Sequence, residues 1–253
     1  MHMDPQQRKL LEIVFECLEN AGVPLEHASG PNTGCYVGNL TFDFVVMQTR
    51  DADYMGRYSA TGLGTTIVAN RISHIFNPRG PRLVLDNACS SSLYCLHVAC
   101  MALEAHKCDA AVVAGANLIQ SIEQHIARIE VGVLSASSAC HTFDTSADGY
   151  GRVEGIGALY VKRLSDAIGD GGPIRTMANT EISLPSTNGQ EMVIRRAMAR
   201  GAVSSEEITY IECHGTGTKV NDEIEVDALS RVFKRTLENP LLALAACSLF
   251  SWM

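Results

Sequence analysis

The sequence predicts an α/β fold, and three observations predict it. Apolar strand-like stretches alternate with stretches of helical periodicity, turn residues separate them, and 46% of 253 residues are apolar, enough to bury a core. No 20-to-50-residue repeat and no low-complexity linker interrupts the alternation, so a single domain is the simpler expectation.

The elements follow in order. Asp4 is placed to cap a helix, Pro5 suits its first position, and Gln7 stands three residues after the cap, as in a capping box. Leu10, Leu11, Val14, Phe15 and Leu18 recur at helical spacing until Gly22 and Pro24 stop them. A strand is expected over Gly34–Leu40. A helix over Thr65–Phe76 gathers Ile67, Val68, Ile72 and Ile75 on one face. Pro78, Gly80 and Pro81 break the chain before a short strand, Arg82–Asp86. Ser90–Ala105 reads as a helix, Ala110–Gly115 as a buried strand, and Ser121–Val131 as a helix. Gly155–Leu164 is an apolar strand, and Gly169–Pro173 is a turn. Gln190–Arg200 is a helix, Ile208–Cys213 a strand, and Asp222–Thr236 a helix.

Composition narrows the function. The net charge of −8 and a pI near 5.5 offer nothing to a phosphate backbone, so nucleic acid is not an expected partner. Charged residues are 19% and mean hydropathy is +0.06, values of a folded chain and not of a disordered one. No basic amphipathic stretch marks a membrane surface. The longest apolar run, Leu241–Met253, has 13 residues, short of the about 20 a span needs. The nine cysteines include no C-x-x-C pair, so neither a zinc site nor a disulfide framework is expected. The polar start at Met1–Arg8 does not read as a signal peptide, and a reducing cytoplasm is the expected setting. The Asn39-Leu40-Thr41 triplet is read as fortuitous.

Two segments carry candidate chemistry. In Leu83–Leu93 a strand ends, Cys89 follows, and a helix of small residues begins. Unpaired amides and partial positive charge at a helix start favour a thiolate, and the same amides suit an oxyanion. The plainer reading of Cys89 is a buried structural thiol, the role expected of Cys95 and Cys100. In Tyr210–Thr218, His214 ends a strand and is followed by Gly215, Thr216, Gly217 and Thr218. The imidazole can move a proton or donate to an oxyanion, and the threonine hydroxyls can bond an extended ligand. A glycine-rich turn with a satisfied histidine is the alternative. The other histidines, at 2, 27, 74, 97, 106, 125 and 141, sit in no demanding spacing.

A third segment, Asp148–Gly157, matches a dinucleotide fingerprint only loosely. Its glycines at 149, 151 and 155 are misspaced, and it precedes a strand where the fingerprint follows one. A tightly packed segment is the expectation instead.

Together these stretches resemble the β-ketoacyl synthase (ketosynthase) domain of iterative polyketide synthases of the fungal highly reducing type. The motifs are Asp4-Pro5-Gln6-Gln7-Arg8, residues 57–62, 88–93, 111–117, 148–157 and 162–167, and His214–Thr218, all in the family's order. The resemblance implies a thiolase-like fold, layered α/β/α/β/α, here incomplete: the N-terminal half and the start of the C-terminal half. It implies decarboxylative Claisen condensation, with Cys89 as the acylated nucleophile and His214 as the first of two family histidines. Thr216 and Thr218 match residues that hold the pantetheine arm. Neither metal nor bound cofactor is implied. Phosphopantetheine arrives on an acyl carrier, bringing acyl and malonyl thioesters, and the family is homodimeric.

The sequence also departs from that pattern. The chain opens at the Asp-Pro-Gln-Gln-Arg motif, so a central strand that precedes it in the family is expected to be missing. About ten residues look deleted between Met177–Thr180 and Glu181–Ser186. No histidine follows His214, and the Lys-x-Asn-Ile-Gly-His and Gly-Phe-Gly motifs are absent. Asn87 stands where the family has threonine or serine, a tolerable change. The expected layout is a truncated ketosynthase domain over 1–240 and an atypical apolar tail over 241–253, with condensation impaired and exposed core surface favouring association. A non-catalytic remnant or dimerising fragment is the alternative. A Cys89–His214 hydrolase dyad, 125 residues apart, ranks last because it leaves the remaining motifs unexplained.

Overall fold

The computed structural model describes residues 3–51, 53, 56–171, 187–235 and 242–245. The expected junction at 177–186, and residues 172–173 of the expected turn, lie outside these residues. The helices are α1 Pro5–Asn20, α2 Leu25–Ala28, α3 Asp43–Thr49, α4 Ser59–Leu63, α5 Ile67–Phe76, α6 Ser91–Glu104, α7 Glu123–Glu130, α8 Leu164–Gly169, α9 Thr187–Gly201 and α10 Lys219–Val232. The strands are β1 Thr33–Asn39, β2 Arg82–Leu85, β3 Ala110–Asn117, β4 Gly155–Lys162, β5 Tyr210–Cys213 and β6 Leu242–Ala245. The described residues gather into two compact units. The first holds residues up to 123 and from 154 to 171, the second 124–153 and 187–245.

In the first unit the sheet order is β2-β1-β3-β4. β1 runs parallel to β2 and β3, and β4 is antiparallel to β3. Side chains of β1 and β3 alternate between two apolar layers, as a sheet covered on both faces requires. Cys35, Val37, Val112 and Ala114 meet Leu10, Val14 and Leu18 of α1 and Val68, Ile72 and Phe76 of α5. Tyr36, Ala111 and Val113 meet Cys95, Leu96, Ala99 and Leu103 of α6. Cys95 is therefore structural, as expected, and Cys100 packs at the edge of the same layer.

Three expectations are corrected here. β1 pairs with β3 over seven residues, from Thr33↔Ala110 to Asn39↔Ala116, so the centre of this sheet has no missing strand. Ile75 is exposed, and α5 buries Val68, Ala69, Ile72 and Phe76 instead, because the sheet meets a stripe one residue further on. The capping box of α1 does not form. Asp4 does cap, accepting from the Gln6 amide at 2.8 Å. Its own amide donates to the Gly62 carbonyl at 2.9 Å, and the Gln7 side chain reaches that same carbonyl at 3.1 Å. The neighbouring chain thus supplies the partners that a local box would have used.

Gln6 is buried and ties three segments together. Its oxygen accepts from the Thr41 hydroxyl at 2.8 Å and the Leu118 amide at 3.1 Å, while its nitrogen donates to the Thr41 carbonyl at 3.2 Å. Asp43, also buried, accepts from the amides of Gln120 and Ser121 at 3.0 and 3.1 Å.

In the second unit α9 packs against α10, where Arg195 donates to the Arg231 carbonyl at 3.0 Å and Arg231 to the Asn188 side chain at 2.9 Å. β5 pairs in parallel with β6, from Tyr210↔Leu242 to Cys213↔Ala245, so four residues of the expected apolar tail form a strand. Among the described residues, no helix is long and apolar enough to cross a membrane.

Candidate active site

Cys89 sits where β2 hands over to α6. Ala88, just before it, takes a left-handed conformation with φ of +48°, costly for a residue with a β-carbon. Short polar side chains hold this bend. Asp86 accepts from the Ala88 amide at 3.0 Å. Ser91 accepts from the Asn87 amide at 2.8 Å and donates to the Ala88 carbonyl at 2.6 Å. Ser90 donates to the Asn87 carbonyl at 3.0 Å and accepts from the Asn87 side chain at 2.7 Å. Asn87 thus joins the bend through its amide. The result is an exposed Cys89, not the buried structural thiol that was its plainer reading.

The helix begins two residues later than the cysteine, at Ser91. Two amides of the turn are already engaged: Ser90 donates to Asn87 and Ser91 to Ala88, both at 3.2 Å. Gly38 of β1 lets this turn come close. A β-carbon there would lie 2.6 Å from the Ser92 nitrogen and 2.8 Å from the Ser91 carbonyl carbon.

At the other end of α6, Arg163 donates to the carbonyls of Leu103 and Cys108 at 3.1 and 2.9 Å. It also pairs with Asp109 and Asp166. Both ends of the helix behind Cys89 are therefore fastened.

The second group of residues belongs to the second unit. His214 is exposed and follows β5 directly. Its amide and that of Gly215 donate to the two carboxylate oxygens of Glu225, at 2.7 and 2.9 Å. The Gly217 amide donates to Asp222 at 3.1 Å, and the Phe143 amide to the other oxygen of Asp222 at 2.7 Å. The Thr142 hydroxyl donates to the Gly215 carbonyl at 2.6 Å, and the Gly149 amide to the Gly217 carbonyl at 3.1 Å. The hydroxyls of Thr216 and Thr218 lie 2.9 Å apart, half-buried. The structure thus brings His214, Thr216 and Thr218 onto one braced loop.

Glu225, Asp222 and Thr142 were not singled out from the sequence. The three-residue spacing of Asp222 and Glu225 at the start of α10 puts both carboxylates on one helix face, a signal that was there to read. Thr142 lies 73 residues from its partner and gave no local signal.

The loosely matching glycine segment is accounted for by packing. A β-carbon on Gly151 would lie 2.1 Å from the Ser138 oxygen, so the chain passes too close for any side chain. Among the thiols, burial pushes Cys35 up to about 11 and Cys95 and Cys213 up to about 12. Beside Cys213 the Glu225, Asp222 and Glu212 carboxylates add to the effect. These three are inert protonated thiols.

Known proteins share the sequence and fold of this chain. Residues 1–167 match the family described as "Beta-ketoacyl synthase, N-terminal domain", and residues 174–247 its C-terminal domain. A highly reducing polyketide synthase of Neurospora crassa, srdA, is 62% identical over 251 residues. Highly reducing polyketide synthase 19 of Pyricularia oryzae is 61% identical over 245 residues. These alignments cover 95% and 93% of this chain and a tenth of each relative's length. The solved ketosynthase from module 6 of the bacillaene synthase of Bacillus subtilis 168 superposes with a TM-score of 0.82 at 32% identity, covering 96% of this chain and 44% of that one. The parallel sheet with its antiparallel edge, the cysteine on its strand-to-helix bend and the braced histidine loop therefore lie on part of a thiolase-like fold, and the chain belongs to the β-ketoacyl synthase family.

Proposed function

We propose that this chain carries the acyl-accepting cysteine and one histidine of a ketosynthase that performs decarboxylative Claisen condensation in polyketide assembly. The observation that carries the reading is the exposed Cys89 on its strained bend between β2 and α6. The Cys89 thiolate attacks an acyl thioester, the carrier's thiolate leaves, and an acyl-cysteine forms. A malonyl thioester then loses CO₂. Its carbanion attacks the acyl carbon, a C–C bond forms, and the Cys89 thiolate departs. His214 donates a hydrogen bond to the malonyl thioester oxygen, where negative charge develops. The hydroxyls of Thr216 and Thr218 turn from each other to the amides of the pantetheine arm.

The acyl and malonyl groups arrive on phosphopantetheine of an acyl carrier, and the working assembly is a homodimer in the cytoplasm. The domain assignment over 1–240 belongs to the same proposal.

Incubation with a short acyl thioester tests the first half-reaction. Intact-mass and peptide analysis is expected to find one acyl group, on Cys89, and none on the Cys89→Ala variant. A folded sample that takes up no acyl group, or an adduct that survives Cys89→Ala, would overturn the assignment.

A further inference from the structure

Thr142 stands outside every motif that identified the site, yet its hydroxyl makes a 2.6 Å bond to the loop carrying His214. We propose that Thr142 is a positioning residue for His214; the inference rests on the reading that His214 polarises the malonyl thioester.

Gly215 follows His214 directly. A glycine next to a functional histidine is the freest point of the backbone, and this one adopts φ of +51°. Two peptide planes meet at its α-carbon, and rotation about its φ or ψ turns the segment carrying His214 against the rest of the loop. The plane before Gly215 is held through the Gly215 amide, which donates to Glu225, and the His214 amide donates to the same carboxylate. The plane after Gly215 is held through the Gly215 carbonyl, and the bond from Thr142 holds it there. Glu225 and Thr142 therefore grip opposite sides of one glycine.

The grip is anchored in turn. The Phe143 amide, next in the chain, is bonded to Asp222, which also accepts from the Gly217 amide. The Gly149 amide bonds the Gly217 carbonyl. Thr142 thus reaches the loop from a segment that is itself fixed to the loop at two further points. Removing its hydroxyl frees one peptide plane without removing the segment.

The test compares the unaltered chain with Thr142→Val, Thr142→Ser and His214→Ala. CO₂ release from a malonyl-N-acetylcysteamine thioester gives kcat and KM, amide hydrogen exchange is followed over residues 214–217, and each variant's melting temperature is recorded. Thr142→Val is expected to lower kcat about tenfold with KM within about twofold, inside the ~10²-fold cost of a 1 Å misplacement. It should also speed exchange over 214–217, and Thr142→Ser should restore both. Unaltered kcat and exchange in Thr142→Val would overturn the proposal. So would a serine variant that stays impaired, which would mark a packing role. If His214→Ala loses activity while Thr142→Val keeps it, only the positioning role falls. If His214→Ala releases CO₂ like the unaltered chain, or the unaltered chain releases none, the reading of His214 falls and takes the inference with it.

Discussion

At Cys89 the chain combines exposure with a backbone bend that two serines, an aspartate and an asparagine hold in place. The contrast with the buried thiols gives a direct prediction. Brief treatment of the folded chain with iodoacetamide at neutral pH should label Cys89 before Cys35, Cys95 and Cys213, whose thiols burial holds at about 11, 12 and 12. Peptide mass mapping reads the order, and early labelling of Cys95 would contradict the packing described. Gly38 makes a second residue-scale prediction. Gly38→Ala would drive a β-carbon against the first turn of α6 and should destabilise the chain by about 1–3 kcal/mol in urea unfolding. Cys89 was legible in the sequence because a strand, a cysteine and a run of small residues are adjacent there. Its neighbour's left-handed φ was not, since nothing about an alanine announces one.

Among the elements, long ones with a clear period were legible and short ones were not. α1, α5, α6 and the strands β1 and β3 all fall within a few residues of their expected spans. α2, α3, α4 and α8 have four to seven residues each, fewer than two turns, so no apolar period could reveal them. β6 escaped notice because its partner β5 lies about thirty residues away and the pairing, not the segment, makes the strand. The end of α5 shows how a cap is set. Asn77 is left-handed at φ of +53°, its amide returns to the Ser73 carbonyl, and its side chain donates to Ser29. Asn77→Ala should therefore cost about 1–2 kcal/mol, and Asn77→Gly less, because only glycine takes that φ without strain. Chemical denaturation of the pair checks this; equal losses would place the cost in the Ser29 bond.

On the scale of the whole chain, the α/β class followed from the alternation of elements, and the two apolar layers on the first sheet follow from the period of two along β1 and β3. The sequence was less informative about what stays uncovered. α7 is amphipathic, yet none of its residues is buried, and Ile126 and Ile129 are 46% and 52% exposed. Adjacent Ile122 and Val131 are more exposed still. Uncovered apolar side chains at this density promote self-association. Ile126→Gln with Ile129→Gln should lower light scattering of the concentrated chain and leave its melting temperature within about 2 °C, as surface changes do. Scattering that does not fall would show that another surface drives association.

The Gln6 side chain sets a schedule for folding during synthesis. Its partner Leu118 is made 112 residues later. At about 5–20 residues per second, roughly 6–22 seconds separate the two on the ribosome. Through that interval α1 can coil and Asp4 can cap it, but the Gln6 amide must stay with water or with Thr41, and the start of the chain cannot lock. Closure of this bond therefore marks the moment at which β3 has joined the sheet, and a pause in translation before residue 118 would prolong the exposure of the apolar face of α1.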